Sequence, residues 1–65
     1  MNYQKFKELR LAKGLTLEAI GEATGHSRGI IQRIECGKLA PSIALLKELA
    51  QIVGVKAADL LADDE

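Results

Sequence analysis

Few of the 65 residues carry side chains suited to covalent or metal chemistry. Cys36 is the only cysteine and His26 the only histidine. One thiol closes no internal disulfide, and one thiol with one imidazole does not furnish a structural zinc site within a chain. No nucleophile stands beside a base, no carboxylates are paired for acid–base work, and no glycine-rich loop cradles a phosphate. The pattern points away from an enzyme and implies no cofactor. Hydrogen-bonding groups remain: Ser27, Arg28, Gln32, Arg33 and Lys38 lie within twelve positions of one another. Arginine presents a planar fork that matches paired acceptors, and lysine a mobile point charge. On an arbitrary helix these would be ordinary solvated groups, so the elements that carry them decide what they do.

Those elements are marked by glycines and capping residues. Gly14, Gly25, Gly37 and Gly54 stand where apolar periodicity breaks, and glycine commonly ends helices. Thr16, Ser27 and Ser42 follow three of them as good N-caps, and Pro41 stands beside the last, where its missing N–H costs nothing. Five short helices are predicted, over about 3–13, 16–24, 27–36, 42–53 and 56–62. No segment alternates apolar and polar residues convincingly, so the fold class is all-α. Leu46, Leu49, Ala50 and Val53 form one stripe on the fourth helix, while the third offers Ile31 and Ile34 and the first Phe6 and Leu9. Leu15, Ile20, Val55 and Leu60 complete the expected core. A chain this short makes one domain and buries only about 60% of its unfolded surface. It needs tight packing or self-association.

Two charges interrupt the stripes. Arg10 follows Phe6 by four residues, and Glu35 follows Ile31 by four. A lone charge at either place would be costly. The spacing admits two arrangements: a partly buried Arg10–Glu35 pair between the packed faces, or two side chains that reach the rim separately.

Residues 16–36, TLEAIGEATGHSRGIIQRIEC, combine a short helix with small Gly21, a turn at Gly25 and a second helix. Gly21 lets the helices approach closely, and a glycine-containing turn is usual in helix-turn-helix units. With Ile31 and Ile34 inward, Gly29, Gln32, Arg33 and Cys36 face outward, flanked by Arg28 and Ile30.

Over residues 4–62 the chain resembles the Cro/repressor-type helix-turn-helix family, the lambda-repressor-like or XRE-type domains. The marks are FKELRLAKGLT, the helix-turn-helix itself, RIECGKLAPS and LLKELAQIVGV. The resemblance implies a compact five-helix domain that places its third helix in the major groove of DNA. It also implies an ion pair between Arg10 and Glu35. Family members usually contact bases at the positions of Arg28, Gly29, Gln32 and Arg33. An arginine fork matches guanine O6 and N7, and Gln32 could read adenine or reach a phosphate. Ile30 could meet a thymine methyl, Ser27 could donate to phosphate, and Lys38 is expected at the backbone, where it positions rather than specifies. The chain departs from the family pattern at Leu17, where many members carry a phosphate-contacting glutamine. It departs again at Gly29 and Ile30, which replace small polar residues, and at Cys36, which replaces a frequent asparagine. Glycine within a helix costs about 0.8–1 kcal/mol against alanine. His26 stands where the family usually has an apolar residue and is expected to be half-buried.

The formal net charge of zero hides an asymmetry. Residues 1–58 hold nine lysines and arginines against five glutamates, a balance of +4, and the remaining four carboxylates follow in the last seven residues. A mildly basic body with an acidic, solvated tail at 62–65 is compatible with binding nucleic acid. No apolar run is long enough for a membrane span, and no secretory signal follows the N-terminus. A reducing, cytoplasmic setting is expected. The expected function is a sequence-specific DNA-binding transcriptional regulator acting as a homodimer on a palindromic operator. The alternative is an antitoxin or another protein-interaction module on the same fold. Arg28, Arg33 and Lys38 favour DNA, whereas Leu17 and Ile30 would suit a protein partner. Leu45, Ile52 and Leu61, left over once the main stripe is buried, are expected at the dimer interface.

Overall fold

The computed structural model describes residues 1–61. Five helices follow one another: α1 (Tyr3–Ala12), α2 (Leu17–Thr24), α3 (Arg28–Glu35), α4 (Ile43–Val53) and α5 (Ala57–Leu61). No strand occurs among the described residues. The expected acidic tail, and the last position expected of the fifth helix, lie outside the described residues.

The cap residues explain the boundaries. Thr16 Oγ1 accepts from the Ala19 amide at 3.0 Å, Ser27 Oγ from Ile30 at 3.3 Å and Ser42 Oγ from Leu45 at 3.2 Å. Each side chain satisfies one of the amides that a helix start leaves free. Asn2 does the same for α1 through Lys5, and its own amide donates to the Leu60 carbonyl at 2.6 Å, tying the chain start to α5. Asparagine is among the best N-caps, so this start too has a signal in the sequence. Gly25 ends α2 with φ 75°, a left-handed conformation that suits glycine.

One core unites the helices. Phe6, Ile20, Ile31, Ile34, Leu46, Leu49, Ala50, Val53 and Leu60 are buried, with Leu9, Leu15 and Val55 packed against them. Each fully buried aliphatic or phenyl side chain contributes about 1.5–3 kcal/mol relative to exposure.

Leu45 departs from expectation. It is only 7% exposed and belongs to this same core. Helix α4 packs against α1, α2 and α5, so its buried arc is wider than one stripe. Leu45 is therefore used within the chain and is not free for a partner. Ile52 is half-buried against the core, while Leu61 is 50% exposed. His26 also departs: it is exposed. Its backbone packs against Gly21 of α2.

No described helix is long and apolar enough to cross a membrane.

Candidate nucleic-acid interface

The helix-turn-helix is held by three devices that fix how α3 is presented. The first is the absent side chain of Gly21. A Cβ built there would stand 2.6 Å from the His26 carbonyl oxygen and 3.4 Å from the Ser27 carbonyl carbon. Only glycine permits this approach, and the His26 amide donates to the Gly21 carbonyl at 2.9 Å across the same contact. The second is the Thr24 hydroxyl, which turns back to the Ile20 carbonyl at 2.9 Å and closes the last turn of α2.

The third is Arg10. Its Nε donates to Glu35 Oε1 at 2.6 Å, its Nη2 to Glu35 Oε2 at 3.2 Å and its Nη1 to the Leu15 carbonyl at 2.8 Å. Both side chains are about nine-tenths buried. One guanidinium thus ties α1 to the end of α3 and to the residue that leads into α2. The fork geometry is bidentate and charge-assisted, the strong form of such a bond. Of the two arrangements that spacing admits, the structure has the pair.

With its inner face so committed, α3 turns Gly29, Gln32, Arg33 and Cys36 to solvent, all of them exposed. These four and Lys38 line one open groove on the surface. Lys38 reaches it because the loop after α3 folds back: the Lys38 amide donates to the Arg33 carbonyl at 2.8 Å, and Leu39 to the same carbonyl at 3.3 Å. Arg28, one turn before Gln32 on α3, lines a second groove with Arg10 of α1 and with Thr16, Leu17 and Glu18 at the start of α2. Ser27 stands exposed at the head of α3, its oxygen occupied by the cap and its hydroxyl proton available. The expected contact residues therefore form two adjoining patches, a central one on α3 and a flanking one where α2 and α3 begin.

Leu17 and Ile30 behave differently from the expectation that suits a protein partner. Both are half-buried and packed against the core. Thr16, a cap residue, also lines the flanking groove with Arg28. Its second position, on a groove with an arginine, follows from packing and carries no signal in the sequence itself.

Comparison with known proteins decides the family. A helix-turn-helix family profile matches residues 6–60, nearly the whole chain. The protein belongs to the helix-turn-helix family. An uncharacterised HTH-type transcriptional regulator of Sinorhizobium fredii is 38% identical over 56 residues, covering 86% of this chain and 73% of its own. A second, from Methanocaldococcus jannaschii, is 40% identical over 63 residues, covering 94% and 96%. A third, from Bacillus subtilis, is 32% identical over 57 residues, covering 88% and 83%. No solved structure gives a significant match. All three relatives are named as HTH-type transcriptional regulators.

Proposed function

We propose that this helix-turn-helix protein is a sequence-specific DNA-binding regulator that reads base edges with α3. One observation carries the reading: the exposed groove of Gly29, Gln32, Arg33, Cys36 and Lys38 lies opposite the buried Ile31 and Ile34 on the same short helix. Gln32 and Arg33 are exposed, and among the described residues their side chains make no hydrogen bond or ion pair. Arg33 takes a guanine edge and Gln32 an adenine edge or a phosphate. Arg28 flanks them from the adjoining groove, and Ser27 and Lys38 hold the sugar-phosphate backbone. A protein-interaction role gains less support, because Leu17 and Ile30, the residues that would serve it, are partly buried against the core.

The regulator acts as a homodimer on a palindromic site, with Ile52 and Leu61 at the subunit contact. Support comes from Leu61, one of the large apolar side chains left exposed among the described residues, with Leu11, Leu39 and Ile43. Two-fold pairing would set the reading helices roughly 34 Å apart, one turn of DNA.

Selection of bound fragments from a genomic library, followed by titration at several salt concentrations, tests the reading. Binding is expected to weaken steeply with salt, with a log–log slope on the order of −4 to −8 for a dimer. No binding at low salt, or a flat response, would overturn it. Sedimentation at micromolar concentration tests the dimer, with Leu61→Glu expected to give monomers. A wild-type monomer that binds single half-sites would refute pairing.

A further inference from the structure

Gly29 has no reason to be glycine inside this protein. It lies in the first turn of α3 and is absent from the glycines with positive φ. Among the described residues, a Cβ built on it would meet only Ser27 Oγ, at 3.9 Å, an ordinary contact. Glycine there orders more backbone on folding than alanine would, for no packing return. When a local rule is broken without an internal compensation, the reason commonly lies in function. Gly29 stands on the groove shared with Gln32, Arg33, Cys36 and Lys38, one turn before Gln32 and Arg33.

We infer that Gly29 is a specificity-determining residue whose missing side chain sets how closely α3 seats against DNA. The proposal rests on the reading of α3 as the base-contacting helix and adds a ligand to one position. The backbone of the first turn lies directly on the major-groove edge of a base pair. A methyl group at Gly29 would stand on the outer face and hold the helix off. Hydrogen bonds operate only over about 2.7–3.2 Å, so a small displacement weakens those that Gln32 and Arg33 make one turn later. Contacts to phosphate by long, mobile lysine side chains tolerate the same displacement.

The Gly29→Ala variant separates these effects because folding and recognition move in opposite directions. Its melting temperature is expected to rise by a few degrees. Its affinity for the operator selected by the wild type is expected to fall about tenfold or more, within the range of a lost base contact. Its affinity for random-sequence DNA is expected to stay within about twofold, since phosphate contacts dominate there. Equal operator affinity for both proteins, with the same preferred site, would overturn the proposal. So would a fall in melting temperature, which would mean that the protein itself needs the glycine. A wild-type protein that selects no DNA fragment is a different result: it removes the DNA reading itself, before any variant is made.

Discussion

Gly21 and Gly29 belong to the same helix-turn-helix, and their missing side chains answer to different neighbours. At Gly21 the neighbour is the chain's own backbone, 2.6 Å from where a Cβ would stand. At Gly29 the surroundings are open. The same contrast runs along both sides of α3. Inward, Ile31 and Ile34 are fully buried and Glu35 accepts two bonds from Arg10. Outward, Gln32, Arg33 and Lys38 are exposed. The seam is specified by the protein, and the outer face is left for something else. Substitutions on the seam should cost stability, and substitutions outside should cost binding.

The largest effect is expected from Glu35→Ala. It leaves the Arg10 guanidinium about nine-tenths buried with only the Leu15 carbonyl as partner. Breaking a buried pair from one side costs roughly 3–5 kcal/mol, and the retained carbonyl favours the lower figure. Glu22→Ala, at an exposed position of α2, should change stability by no more than about 0.5 kcal/mol. Chemical denaturation of both variants checks this. Equal midpoints would mean that Arg10 and Glu35 behave as rim charges despite their burial.

Gly21→Ala follows. The added methyl meets a carbonyl of the backbone, not the movable end of a side chain, so α2 and α3 must separate. Overpacking of this kind costs about 1–3 kcal/mol. Thermal melting should show a clear loss, opposite in sign to the change expected for Gly29→Ala. A neutral Gly21→Ala would show that the seam is looser than the 2.6 Å approach implies.

The difference between these regions also explains what the sequence reveals. The seam leaves marks in it: caps at Thr16, Ser27 and Ser42, a left-handed glycine at 25, and charges at helical spacing inside apolar stripes. Local rules and packing agree there, so five helices and the possibility of the Arg10–Glu35 pair are legible. Leu45 is misassigned because a stripe is a local pattern, whereas the width of a buried face depends on how many helices surround it. Helix α4 has three such neighbours. His26 is misassigned because spacing does not distinguish a position whose ring is buried from one whose backbone is. On the outer face the residue types are legible, but their division into two grooves is not. That Arg28 also meets Thr16 and Leu17 across a groove depends on where α2 begins relative to α3.

On the outer face, Arg33→Ala should leave the melting temperature nearly unchanged and lose discrimination at one or two base pairs. A bidentate arginine–guanine contact is worth about 1–3 kcal/mol against the wrong base. Competition between the selected operator and a scrambled site measures the loss. Equal weakening on both would place Arg33 on phosphate and move base reading to Gln32 and Arg28.

Lys38→Ala should give the smallest change, and its kind matters more than its size. Lys38 shares the central groove with Arg33, but it lies beyond the end of α3, on a loop fixed to the Arg33 carbonyl. From there its ammonium serves as a point charge toward a phosphate, without a fork to match a base edge. Removing it should weaken operator and scrambled DNA alike and reduce the magnitude of the salt slope by about one per subunit. Parallel salt titrations of wild type and variant on both sites measure this. A loss confined to the operator, with an unchanged slope, would mean that Lys38 reads sequence. The boundary between positioning and specifying groups would then run through the loop after α3 instead of at the end of the helix.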